Sequence, residues 1–247
     1  MVHLPLINED GSNSLRQYRG ALTAWSSHVA DEAGIGVAGV YANARLPGVP
    51  EANCILGEVL PDRSASLEDY FRQASTRPLL WHFPGSSPVS GMVRSEVTLM
   101  LLQAAPDLPG SHSQLTIIPA RASFPHVRQI AAALYAGVPA EQAAEAAMCH
   151  LDDAHVDAIL AIHNGQPVAY ASVLSCGDIG FVMDFFVYPE LRHRGFATPL
   201  AAWVFDVCRR SLYRLVYSAA CTPEAVTFAT RMGFVPAATS IMYRAAL

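Results

Sequence analysis

Apolar positions recur along this chain in two rhythms, and the switches between them mark out its elements. Residues 114–118 alternate as a short strand halted by Pro119. After Ser123, a potential cap, Val127, Ile130, Ala131 and Leu134 repeat at helical spacing until Gly137. Pro139 opens a second helix with Ala144, Ala147, Met148 and Leu151 along one side. Three strands follow over 158–163, 167–175 and 179–187, the first two joined by Asn164-Gly165, a strong hairpin signal. A helix over 197–210 buries Leu200, Trp203, Val204 and Val207, and 214–218 is a strand. Thr222-Pro223-Glu224 starts another helix with a cap, a proline and an acid in its first turn. Two further strands, 234–235 and 240–245, close the order β-α-α-β-β-β-α-β-α-β-β.

The first half is less regular. It predicts a helix over 15–30, strands over 37–42 and 53–56, a helix over 67–74, and strands over 79–83 and 97–102. The run AAPDLPGSHS (104–113) gathers Pro, Gly, Asp and Ser between apolar stretches. It divides the chain into a mixed α/β part, 1–112, and a second domain, 113–247. The fold class expected is α+β with a mixed sheet.

Composition narrows the function. The chain has 247 residues and a net charge of −5, and its cationic residues are all Arg. With no basic stripe interleaved with aromatics and no basic amphipathic helix, neither nucleic acid nor a membrane is the expected partner. The first ten residues lack a basic head, so the expected location is cytoplasmic. Five scattered cysteines form no CxxC pair, and His150 and His155 have no third ligand nearby in sequence, so no metal is expected.

Chemistry concentrates in 181–200, FVMDFFVYPELRHRGFATPL. An apolar strand runs into the turn Arg192-His193-Arg194-Gly195-Phe196-Ala197, and a helix begins at once. A helix N-terminus offers unpaired amides and a positive dipole end, which suits an anion. Gly195 and Ala197 let the backbone come close to a ligand. Arg192 and Arg194 set cations where the dipole already repels them, a conflict that a phosphate or pyrophosphate would remove.

With these residues in view, the second domain resembles the GNAT superfamily of N-acetyltransferases. Arg192-x-x-Gly195-x-Ala197 resembles the family's pyrophosphate loop, and Val187-Tyr188-Pro189 its preceding strand end. Met232-Gly233-Phe234 stands where family members carry Gly-Phe after their second conserved helix. The first half weakly resembles a decayed copy of the same fold, as in tandem members. The resemblance implies acetyl-CoA as co-substrate and transfer of its acetyl group to an amine, with a small molecule or a peptide as acceptor. It implies that Phe185, Phe186 and Val187 hold the pantetheine arm by backbone contacts. It gives the pyrophosphate to Arg192, His193, Arg194, Gly195, Phe196, Ala197 and Thr198, and a cofactor contact to Thr222.

The resemblance has a gap. Many members carry a Tyr as general acid where this chain has Ala229. Asp184 is the carboxylate best placed to take the amine's proton. Because side chains alternate along a strand, Asp184 and Phe185 should face opposite sides. Tyr188, Tyr217 and Tyr243 are candidate acids or substrate contacts, Trp81-His82 a candidate cleft pair, and Cys221 a candidate nucleophile at a helix start. The competing reading is an acyl-CoA-binding sensor without turnover.

Overall fold

The computed structural model describes residues 11–32, 39–58, 63–83, 89–110 and 112–246. The first half contributes α1 (Gly11–Ser27), β1 (Asp31–Glu32), β2 (Val40–Ala42), β3 (Cys54–Leu56), α2 (Ser64–Gln73), β4 (Leu80–Phe83) and β5 (Met92–Leu102). The second half contributes β6 (Thr116–Pro119), α3 (Phe124–Leu134), α4 (Ala140–Asp152), β7 (Val156–His163), β8 (Gln166–Cys176) and β9 (Ile179–Val187). It ends with α5 (Ala197–Arg210), β10 (Leu215–Ala220), α6 (Pro223–Arg231) and β11 (Phe234–Ala245). Part of the strand expected over 37–42 lies outside the described residues.

The local causes are those read from the sequence. Asn164 and Gly165 take positive φ (52° and 74°) and close the β7–β8 hairpin. Thr222 Oγ1 accepts from the Ala225 amide at 3.2 Å and caps α6. One expectation needs correction. The two closing strands are a single strand, β11, because Ala237 is bulged out between Pro236 and Ala238 while the ladder to β5 continues on both sides. A bulge absorbs the one residue that would otherwise shift the register, next to a proline that has no N–H to give.

Among the described residues the strands form one mixed sheet in the order β1-β2-β3-β4-β11-β5-β10-β9-β8-β7-β6. In each half a parallel pair is linked by a helix: β3 and β4 through α2, β9 and β10 through α5. Each half then ends in a long strand that lies between the other half's last two strands. β5 sits between β10 and β11, and β11 sits between β4 and β5, all antiparallel.

Helices cover both faces. On one face α1 buries Tyr18, Ala21 and Leu22 against Leu99, Leu101, Phe181 and Tyr217, so a helix of the first half packs on strands of the second. α3 and α4 extend that layer over Leu160 and Tyr170. On the other face α5 packs Leu200, Val204 and Phe205 on Met100, Val173 and Val216, while α2 covers Ile55. No helix among the described residues is long and apolar enough to cross a membrane.

The two halves also meet at Gly233, whose carbonyl accepts from the amides of Gln103 and Ala104. Its φ is +86°, and a Cβ there would stand 1.9 Å from the Ala104 carbonyl oxygen. Gly233→Ala therefore combines a left-handed backbone with a backbone collision. Urea unfolding should show a loss of about 1–3 kcal/mol or more; an unchanged midpoint would contradict this packing.

Candidate active site

β9 and β10 start as partners and then part. Their parallel pairing runs from Ile179/Leu215 to Val182/Ser218, yet β9 continues to Val187. β10 instead keeps its antiparallel pairing to β5 through Ala219/Leu99 and Ala220/Thr98. On β9's other edge Met183 is bulged out, since Ser172 faces Asp184 and Val173 faces Val182. The strands thus open into a notch in which residues 183–187 have no strand partner on the β10 side among the described residues. An extended ligand can add itself to such an edge.

The bulge also sorts the side chains. Two residues opposing one puts Met183 and Asp184 on the same face, where Met183 packs against the α1 core. Phe185 points the other way, its ring 4.9 Å from that of Phe228 on α6. Phe186 returns to the first face and meets Tyr188 edge-on at 5.1 Å. Asp184 and Phe185 therefore face opposite sides, as the alternation requires.

Below the notch, Pro189–Leu191 makes a single 3-10 turn and leads into residues 192–198. His193 (φ 63°) and Gly195 (φ 83°) both take the left-handed conformation. The amides of His193, Arg194, Gly195 and Phe196 have no acceptor among the described residues. Thr198 differs, since its amide already donates to the Gly195 carbonyl at 3.2 Å. The Phe196 side chain is buried and serves as the loop's anchor, with His112 and His163 packed on it at 5.2 and 5.3 Å. Arg192 Nε donates to the Val187 carbonyl at 3.3 Å, tying the loop to the strand end. Arg194 is exposed and has no acidic partner among the described residues. The result is a run of amides at the start of α5 without an acceptor among the described residues, flanked by cations.

Asp184 is half-buried and accepts from Ser172 Oγ at 2.5 Å. Burial among the packed strands pushes its carboxyl up to about 6; the Ser172 bond opposes the rise and the nearby Glu51 carboxylate adds to it. A carboxyl poised near neutrality can exchange a proton with a substrate.

A relay of side chains that no local pattern announces reaches the same face. Trp25 Nε1 donates to His150 Nε2 at 3.0 Å, and His150 Nδ1 lies 3.2 Å from the Tyr135 hydroxyl. An indole nitrogen only donates, so Nε2 carries the lone pair and Nδ1 the proton. Burial holds His150 neutral, its pKa driven down to about 3. Tyr135 thus receives a hydrogen bond and keeps its own O–H to give. Burial and the Asp184 and Glu51 carboxylates hold this phenol well above its ordinary range. Only the pairing of Trp25 with a residue 125 positions away creates the relay, and sequence reasoning had no signal by which to find it.

Other candidates fall into structural places. Tyr217 is buried and donates to Gln17 Oε1 at 2.8 Å, and Tyr243 is buried. Tyr188 is half-buried beside Phe186. Trp81 donates to the Gly57 carbonyl, and His82 is buried beside Tyr18, its pKa lowered by burial to about 4. Cys221 has a raised pKa, driven mainly by desolvation, which is the wrong direction for an activated thiol. Ala229 is half-buried against the α5 core. No group of three His, Cys, Asp or Glu among the described residues could hold a metal ion.

The arrangement has counterparts. A GNAT-family protein from Novosphingobium aromaticivorans superposes with a TM-score of 0.62 at 12% identity, covering 93% of this chain and 96% of that one. A GCN5-related N-acetyltransferase from Kribbella flavida gives 0.55 at 16% identity, with 96% and 95% covered. A tandem GNAT protein from the clavulanic acid biosynthesis pathway gives 0.51 at 14% identity, with 76% and 71% covered. At these identities the likeness is one of fold. No curated protein matches the sequence. The acetyltransferase (GNAT) family model matches residues 124–234, from the start of α3 to the start of β11. The matched stretch contains the notch between β9 and β10 and the loop 192–198, so this part of the chain is similar to GNAT acetyltransferases.

Proposed function

We propose that the protein transfers an acetyl group from acetyl-CoA to an amine in a ternary complex, with Asp184 as the base. The observation that carries this reading is the run of amides at His193–Phe196 with no acceptor among the described residues, just after a parted strand pair. In this reading the loop 192–198 grips the pyrophosphate, mostly by backbone, while Arg192 and Arg194 supply charge. The β9 edge at Phe185, Phe186 and Val187 receives the pantetheine arm. Thr222 lies at the α6 N-terminus and can still donate its hydroxyl hydrogen, since its oxygen is used as a cap acceptor. Asp184 takes a proton from the amine, whose nitrogen then attacks the thioester carbon. A strand amide steadies the oxyanion, the C–N bond forms, and the C–S bond breaks. Coenzyme A leaves as a thiolate, tolerable for a thiol with a pKa near roughly 8.5.

We read residues 1–112 as a degenerate copy of the 113–247 domain. The support is topological: both halves present a helix-linked parallel pair followed by a long strand inserted into the other half. A second functional reading, an acyl-CoA sensor without turnover, is favoured by α6. It has Ala229 at the family's Tyr position, and its Thr227 and Thr230 hydroxyls are spent on the carbonyls of Pro223 and Val226. Thiol release from acetyl-CoA in the presence of an amine panel separates the two: tight binding without release from any amine leaves only the sensor.

Gly195→Glu places an anion and a Cβ where φ is +83° and the amides converge. Calorimetric titration with coenzyme A should show affinity lowered about tenfold or more, that is about 1.4 kcal/mol or more. Unchanged affinity would sink the loop's assignment.

Asp184→Asn should lower kcat/KM by about 10²–10⁴. Because the ionised carboxylate accepts the proton, wild-type activity should rise with pH through about 6 and then level. The variant should lose that limb, and a variant retaining both rate and limb would remove Asp184 from the reaction.

A further inference from the structure

The unused Tyr135 hydroxyl belongs to the wall of a cleft that none of the residues above accounts for. Three separate segments meet there. The first half brings Pro50 and Glu51 from the 3-10 turn Pro50–Ala52, the end of α3 and the link to α4 bring Leu134, Tyr135 and Val138, and the end of β11 brings Arg244. The cleft has a volume of about 110 Å³ and opens to solvent, room for an aliphatic molecule of a few heavy atoms.

Glu51 is the group without an explanation. It is only 7% exposed, and charged side chains are seldom buried so deeply unless paired. Its Oε1 lies 3.6 Å from Arg244 Nη2, long for a hydrogen bond. Its Oε2 is buried and has no hydrogen-bond partner among the described residues. Burial raises the pKa of this carboxyl, with the Arg244 guanidinium opposing the rise, and a carboxyl oxygen taken from water without a partner is costly to the fold. It persists most readily where a bound molecule supplies the missing N–H. Asp184 lies on the same face of the sheet, and the two carboxylates oppose each other's ionisation. Arg244 is the one cation in the cleft wall, and its side chain is about half in solvent (45%). A second positive charge beside Glu51 would therefore be favoured.

We propose that this cleft is the acceptor site, and that it takes a small aliphatic amine as its ammonium ion, with the Glu51 carboxyl receiving an ammonium N–H. Tyr135, its oxygen already engaged by His150, donates its O–H to an oxygen of the same molecule, which suits an amino alcohol or a related oxygen-bearing amine. The proposal rests on the acyl-transfer reading for the fate of the amine but not for its binding. It gives the first half a chemical task, to select the acceptor, which the second half alone lacks the residues to do. Glu51 here is a specificity-determining residue, distinct from Asp184, which deals with the reacting proton.

The test uses 4-amino-1-butanol as probe and 1,4-butanediol as its uncharged counterpart of equal length, followed by ligand-observed NMR on the full chain. Coenzyme A titrations of the same proteins run alongside. The wild type should bind the amino alcohol and not the diol. Glu51→Gln, close in shape but uncharged, should weaken the amino alcohol tenfold or more, with coenzyme A affinity unchanged. Should Glu51→Gln fail to fold by circular dichroism, Val138→Trp, which fills the cleft without touching its charges, takes its place and should abolish amine binding. Equal binding of probe and diol, no binding of the probe by the wild type at millimolar concentration, or binding indifferent to both substitutions overturns the proposal. Failure of the wild type to bind coenzyme A, with Glu51-dependent amine binding intact, would sink the acyl-transfer reading alone.

Discussion

The pairing of β5 with β10 is the constraint on which the site depends. Two parallel strands linked by a helix would ordinarily run together for their full length. Here β10 leaves β9 after Ser218 because its last residues stay registered with Thr98 and Leu99 of β5. The Met183 bulge turns β9 in the other direction. Neither device suffices alone, since without β5 the end of β10 would have no partner holding it off. A strand from the first half thus keeps open the notch of the second. The reciprocal insertion of β11 beside β4 ties the two halves of the one sheet so closely that neither has a free inner edge among the described strands.

The electrostatics follow from that opening. The loop at 192–198 gathers positive potential from amides that find no internal acceptor, at the start of a helix that adds its dipole. On the opposite face of β9, Asp184 stands where water is scarce, and burial moves its carboxyl toward neutrality. The bulge that opens the notch is the same one that brings Met183 and Asp184 to one face. One irregularity in one strand therefore opens the notch and sets Asp184 on the face away from Phe185.

Much of this was legible in the sequence, and the exceptions are instructive. The bounds of β9 and α5 follow from local signals, an unbroken apolar strand and then a proline in the first helical turn. The loop was readable because Gly195 and its arginines lie within a few residues of one another. The first half was harder, because β1 to β4, of two to four residues each, are too short to show a period. The merging of the two closing strands was hidden by Pro236, which reads as a stop but sits next to a bulge that absorbs it. Glu51, His150 and Tyr135 were not legible at all. Their meaning comes from contacts across the fold, such as the 3.6 Å approach of Glu51 to Arg244, and a lone acid just after a proline looks like any surface turn.

Burial sets how the two acids of this face can differ. Asp184 keeps a hydroxyl donor in Ser172 and is only half-buried, so it can ionise and reprotonate within reach of neutral pH. Glu51 is more deeply enclosed, with a guanidinium to one side of one oxygen and no donor among the described residues for the other. A group in the first setting can pass a proton on, whereas one in the second gains most by holding a charge opposite to its own. Proximity couples them: a cation resting against Glu51 would ease the ionisation of Asp184, because it offsets the repulsion that now raises it. If the cleft beside Glu51 takes an amine as proposed, its occupancy would itself prepare Asp184 for the proposed role of base, favouring proton removal when an amine is present.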